Sequence, residues 1–144
     1  MKFVKVRQLN VLTDDRGNLF EVLRRDDKDF VSFGQVYFVA DRTPFTIRAF
    51  HRHFKMWDWF CITSGSGKFV FFDEPAHDPE IVVADSRQPK LIAVPPTIWH
   101  GWMSLEPQTQ MLSIASQPYD KKKPDEERCD PYILGKDVWQ ISAK

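Results

Sequence analysis

The stretch "IRAFHRHFKMWDWFCITSGSGKFVFFD", residues 47–73, decides how this chain folds. It contains three runs rich in aromatic and β-branched residues, and "SGSGK" supplies the turn chemistry between the last two. None shows helical periodicity over twelve residues, so each reads as a strand. Runs of the same kind continue outward in both directions: "GNLFEVLR", "GQVYFVA", "FTIRAFHRH", "WDWFCITSG", "GKFVFFD", "EIVVAD", "KLIAVP" and "TQMLSIAS". The separators "DDRGN", "EPAHDPE" and "PPT" carry the Gly, Pro and Asp that turns require. Eight candidate strands without a convincing helix predict one antiparallel all-β domain over residues 1–144, built as a double-sheet jelly roll or small barrel. Inward side chains from several strands meet at the mouth of such a fold, where a small ligand binds.

Composition narrows the function. Twenty Lys and Arg balance twenty Asp and Glu, so no net field draws the chain to nucleic acid or an anionic membrane. No apolar run reaches the roughly 20 residues of a membrane span, and "MKFVKVRQLN" has no apolar signal core, so a soluble cytoplasmic protein is expected. A reducing compartment keeps Cys61 and Cys129 as free thiols, one in the core and one in a loop. The charge run "DKKKPDEER", residues 120–128, mixes signs around a proline and reads as a solvated loop.

Three of the four histidines lie in aromatic surroundings: His51 and His53 in "FHRHF", and His100 in "PPTIWHGW". Residues two apart in a strand share a face, so His51 and His53 point together. Arg48 faces the other way unless a bulge intervenes, and Asp58 joins the pair only if the chain turns between Phe54 and Trp57. Of the tryptophans bracketing these motifs, Trp57, Trp59 and Trp102 read as core, and Trp99 is the best candidate to stack on a ligand.

The spacing His51, one residue, His53, four residues, Asp58, six residues, Gly65 resembles the first motif of the cupin superfamily. "PPTIWH" resembles the second motif, with Thr97 where that pattern has glycine. The resemblance implies a cupin-type double-stranded β-helix. It also raises one option for the histidines: a divalent metal ion held by His51, His53, Asp58 and His100, an N and O donor set suited to Fe, Mn, Ni or Zn.

A second resemblance runs along nearly the whole chain. "DDRGNLFEV", "GQVYF", "IRAFH", "PPTIWHGW", "ASQPYD" and "CDPYILGKDVW" resemble, in order, motifs of the dTDP-4-dehydrorhamnose 3,5-epimerase family. That family's members are dimeric, metal-independent cupin-fold enzymes acting on nucleotide-activated 4-keto sugars. The resemblance therefore implies a homodimer without a cofactor, and a nucleotide-diphosphate sugar as ligand. It implies His51 as catalytic base and Asp130 as its carboxylate partner. It also implies substrate contacts from Arg48, Gln35, Tyr37, His53 and His100, with Arg24 and Arg25 as phosphate candidates.

The chemistry accounts for those residue types. Inverting a carbon beside a ketone needs a base, a cation or donor for the enolate oxygen, and an acid on the opposite face. Two positions depart from the family pattern: its lysine falls near Asp58, and its proton-returning tyrosine falls on Ser113, leaving Tyr119 as the nearest later phenol. Sugar-nucleotide 3,4-ketoisomerases are a related alternative, because "RAFHRHFK" with "PPTIWH" also resembles them and their enediol chemistry needs no acid at that position. A non-catalytic sugar-binding cupin and a metal-dependent cupin remain as alternatives of other classes.

Overall fold

The computed structural model describes residues 1–144. Its strands in chain order are β1 Lys5–Gln8, β2 Leu12–Asp14, β3 Gly17–Leu19, β4 Gln35–Asp41, β5 Ile47–Arg52 and β6 Asp58–Ser64. They continue with β7 Ser66–Phe72, β8 Glu80–Asp85, β9 Lys90–Val94, β10 Trp99–Ser104, β11 Thr109–Ala115 and β12 Glu127–Arg128. A turn of 3-10 helix follows at Lys136–Trp139.

Two five-stranded antiparallel sheets face each other, ordered β1-β9-β6-β11-β4 and β12-β5-β10-β7-β8, and β2 and β3 form a separate hairpin. From β4 onward the chain passes repeatedly between the sheets, which makes the double-stranded β-helix of the cupin fold. Two expectations need correction. "GNLFEVLR" is a strand only over Gly17–Leu19, because Phe20, Val22 and Leu23 lie against the outside of the first sheet. "WHGWMS" is a full strand, hidden in the sequence by its glycine and the preceding prolines.

Strand alternation explains the core. Phe60 and Ile62 of β6, Ile92 and Val94 of β9 and Met111 of β11 meet Phe69 and Phe71 of β7 and Trp102 of β10 between the sheets. The other face of β6 is also covered: Trp59 and Cys61 pack with Leu9, Leu91 and Ala93. A strand buried on both sides reads as a continuous apolar run, as "WFCI" does. Outside the second sheet, Phe50, Val70, Phe72, Trp99 and Met103 pack beneath Trp139. That indole stacks on Phe50 at 5.3 Å and donates to the Pro131 carbonyl at 2.8 Å, pinning the C-terminal segment. Cys61 is buried and Cys129 half-buried, both free thiols. Thr97 adopts φ 72°, so the position where the cupin pattern has glycine keeps its left-handed conformation here with threonine.

Candidate active site

A cavity of about 660 Å³ opens between the sheets, lined by His51, His53, Asp58 and His100 together with Arg48, Gln35, Tyr37 and Tyr119. Its geometry begins with an irregularity in β5. His51 pairs with His100 of β10, but Arg48 pairs with Trp102, so three steps along β5 match two along β10. The extra residue shifts the side-chain parity, and Arg48 and His51 both line the cavity. Gly101 sits opposite the irregularity, where a Cβ would collide with Ala49 and Phe50. The R-x-x-H spacing and the following "HG" are thus two halves of one packing solution.

After β5 the chain turns through residues 53–57, and β6 begins in the opposite sheet with Asp58 facing inward. His53 Nε2 lies 3.1 Å and His100 Nε2 3.4 Å from Asp58 Oδ2. The His51 and His100 rings are 4.2 Å apart between centroids, and those of His51 and His53 are 5.2 Å apart. Backbone carbonyls fix two of these rings. His53 Nδ1 faces the Asp125 carbonyl at 2.5 Å and His100 Nδ1 faces the Ile98 carbonyl at 2.9 Å. A carbonyl only accepts, so both nitrogens carry hydrogen and both Nε2 atoms face Asp58.

These surroundings separate the charges. Burial, then the nearby His100 and His53, push the His51 pKa down to about 2, so its ring is neutral. For His53, burial acts in the same direction, but the Asp58 carboxylate and the Asp125 carbonyl outweigh it and hold the pKa above its ordinary value. Asp58 is buried, which opposes its charge, yet the imidazoles of His100 and His53 outweigh burial and hold it below the usual carboxylate range. The site therefore sets a neutral imidazole, His51, beside a carboxylate whose pairing with His53 favours the protonated form of that second ring.

The remaining expected residues divide. Gln35 and Tyr37 sit on β4, and the Gln35 side chain accepts the Tyr119 backbone N–H at 2.9 Å, bringing Tyr119 to the cavity. Arg48 donates from Nε to Asp41 Oδ1 at 2.8 Å while its guanidinium remains half exposed. Asp130, by contrast, lies outside the cavity: its carboxylate accepts the Tyr132 N–H at 2.8 Å in an exposed turn before Pro131. The carboxylate actually facing the histidines is Asp58, and it pairs with His53 and His100.

Arg24 also lies elsewhere, its guanidinium engaged by Glu21 and Asp26. Trp99 is 8 % exposed and packs outward, stacked on Phe72 with the Arg52 guanidinium 4.5 Å above its ring. Ser113 is fully buried and does not reach the cavity. Its partner across the strand pair is Tyr37, which does.

Two lining residues escape the sequence reading, Glu126 and Arg128. Their segment looks like a solvated charge run, but residues 127–128 form β12, which pairs with β5 and sets Arg128 opposite His51. Only that long-range register reveals them. As for a metal, His51, His53, Asp58 and His100 each offer one ligand atom, all within 4.8 Å of one another. The donor set suits a divalent transition ion, and the two backbone carbonyls orient imidazoles as second partners commonly do in metal sites.

Comparison with known proteins agrees with this architecture. The chain is 29 % identical over 136 residues to a probable low-salt glycan biosynthesis epimerase, Agl13, of Haloferax volcanii, covering 90 % of this chain and 86 % of that one. It is 28 % identical over 131 residues to the spore coat polysaccharide biosynthesis protein SpsL of Bacillus subtilis, covering 87 % and 86 %. Among solved structures, the sugar 3,4-ketoisomerase QdtA of Thermoanaerobacterium thermosaccharolyticum, in complex with TDP, superposes with TM-score 0.75 at 20 % identity over 92 % of each chain. The 3'-monoepimerase ChmJ of Streptomyces bikiniensis, in complex with dTDP-quinovose, gives TM-score 0.81 at 18 % identity, covering 95 % of this chain and 73 % of that one. The profile of the FdtA family, described as WxcM-like, C-terminal, matches residues 2–127, and the chain belongs to that family.

Proposed function

We propose that this protein is an isomerase that epimerises a nucleotide-activated 4-keto sugar by moving a proton next to the ketone, in the synthesis of a glycan or polysaccharide. The observation that carries this reading is the charge separation in the cavity. The His51 ring is neutral, makes no side-chain hydrogen bond within the protein and lies 5.2 Å from the His53 ring that pairs with Asp58. Relatives described as an epimerase and a polysaccharide biosynthesis protein support it.

In this mechanism His51 removes the proton, and the His53 imidazolium and Arg48 stabilise the enolate oxygen. A pKa near 2 alone would make His51 a weak base. Burial is the main force depressing it and the positive field of Arg128 the smallest, so a substrate diphosphate at that arginine restores part of the basicity. Tyr37 supplies the returning acid. It stands on β4 of the sheet opposite His51, and although 41 % of the residue is exposed, burial around its hydroxyl raises the phenol pKa. Base and acid thus approach the sugar from opposite walls, as inversion requires. Tyr119 is the second phenol within the cavity.

A second reading is 3,4-ketoisomerisation, favoured by the placement of His51 and His53 side by side, where two imidazoles can handle protons on adjacent carbons. NMR analysis of a dTDP-4-keto-6-deoxyhexose after incubation tests both. An inverted carbon with the ketone still at C4 supports epimerisation, a ketone moved to C3 supports ketoisomerisation, and an unchanged sugar across several nucleotides rejects both.

The reading includes a homodimer and a cytoplasmic location. The β2–β3 hairpin belongs to neither sheet and exposes Leu12 and Leu19, while the outer face of edge strand β4 exposes Val36 and Phe38 beside Phe33. An isolated two-stranded hairpin is marginal in water, and a second copy would cover both surfaces. The two free thiols fit a reducing compartment.

A further inference from the structure

We propose that Asp125 is a positioning residue that sets the orientation of the His53 ring and its Nδ1–H hydrogen bond by locking the segment preceding β12 onto the turn after β5. The proposal rests on the isomerase reading above for its catalytic consequence only. Its basis is a set of bonds converging on one residue. Asp125 Oδ1 accepts the Phe54 N–H at 3.1 Å, and Oδ2 accepts the Lys55 and Met56 N–H groups, each at 3.0 Å. The carbonyl of the same residue accepts from His53 Nδ1.

The side chain of Asp125 therefore holds the backbone of residues 54–56, while its main chain holds the ring of the residue immediately before them. His53 cannot rotate about its ring axis without losing the carbonyl, and the carbonyl cannot drift while three N–H groups anchor its residue. A charged acceptor serving three backbone donors is a strong local clamp. Burial disfavours charge on Asp125, but these N–H groups outweigh it and hold the carboxylate below its ordinary pKa, so the clamp is charged at neutral pH.

The consequence reaches across the cavity. With Nδ1 committed to the carbonyl, Nε2 is the nitrogen presented to Asp58, and the imidazolium of the proposed mechanism is pre-oriented. His51 and His100 also adjoin that ring, and Glu126 lies beside it on the same segment. None of these three contacts the turn backbone through the bonds that Asp125 makes. The segment also carries Arg128 into the cavity, so one anchored strap places both a cation and the orientation of a catalytic imidazole.

Asp125→Ala in the full chain tests the assignment, with Asp125→Asn as a second variant that keeps one acceptor oxygen. Long-range proton–nitrogen NMR of the histidine rings, assigned with His53→Asn, reads the Nδ1–H hydrogen bond directly and needs no substrate. The expected result is a slowly exchanging His53 Nδ1–H in the wild type that is lost in Asp125→Ala and partly retained in Asp125→Asn. With substrate, kcat should fall roughly 10- to 100-fold in Asp125→Ala while KM changes little, as for a misplaced catalytic group. If Asp125→Ala fails to fold, the Asp125→Asn spectrum decides. A His53 Nδ1–H resonance unchanged from wild type in the folded variant overturns the proposal, whatever happens to the rate. If the wild type turns over no sugar nucleotide, the isomerase reading fails, and the NMR result still decides the role of Asp125.

Discussion

Gly101 on β10 lies against Ala49 on β5 so closely that a methyl group at position 101 would overlap the Ala49 side chain. This contact lets the extra residue of β5 fit, and that residue puts Arg48 and His51 on one wall. Gly101→Ala must push β5 and β10 apart at the centre of the site. The expected outcome is a folded but destabilised protein, down by about 1–3 kcal/mol as for overpacked sites, with turnover lost more completely than stability. Urea unfolding and turnover measured side by side check it. Wild-type turnover would show that the bulge does not set the site.

The opposite wall makes a separable prediction. Tyr37→Phe removes the proposed acid without removing the ring, so exchange beside the ketone should persist while epimer accumulation falls by about 10²- to 10⁴-fold, the usual contribution of general acid catalysis. Tyr119→Phe should do less, because Tyr119 stands on the loop after β11, tied to Gln35 through its backbone N–H, and not on the strand wall opposite His51. If Tyr119→Phe abolishes inversion and Tyr37→Phe does not, the two roles are exchanged.

Stability should respond to pH through two histidines with opposite signs. His53 is held above its ordinary 6.5, so its contribution is complete below that value and disappears as pH rises through the folded pKa. His51 is held down at about 2, so the unfolded chain takes up a proton below about 6.5 that the native chain refuses. Stability therefore falls on acidification, by about 1.4 kcal/mol per pH unit for that proton. Between about pH 6 and pH 4, His51→Asn should lose that slope, and denaturant melts across the range measure it. An unchanged slope would mean that His51 is charged in the native state.

The metal option is decided by ligand linkage. Protein purified without a histidine tag should keep its melting temperature and activity after chelation if His51 acts as a free base. If instead added Zn²⁺ or Ni²⁺ raises the melting temperature, and His53→Asn and Asp58→Asn abolish that rise, the four-residue cluster binds metal by mass action.

Much of this architecture was legible in the residues. "WDWFCITSG" and "GKFVFFD" read as strands because β-rich runs and glycine turns are local signals. The turn that brings Asp58 to the histidines was visible as a parity requirement between Phe54 and Trp57. What stayed hidden depended on contacts between distant segments. The register of β12 on β5 brings in Arg128, and no local pattern in "DKKKPDEER" announces it. Family resemblance pointed to Asp130, but Pro131 follows it in an exposed turn, and the buried carboxylate is Asp58. The phenol expected at Ser113 is offered one strand away at Tyr37, a substitution in space that a linear alignment cannot show.

The central claim is that His51 removes a proton beside the ketone of a nucleotide-activated sugar. Incubation of a dTDP-4-keto-6-deoxyhexose in deuterium oxide, followed by mass spectrometry and NMR, measures that step without requiring inversion. The wild type should incorporate deuterium next to the ketone, and His51→Asn should fold and bind the nucleotide sugar but show exchange no faster than buffer. Wild-type exchange rates in a folded His51→Asn protein would contradict the account.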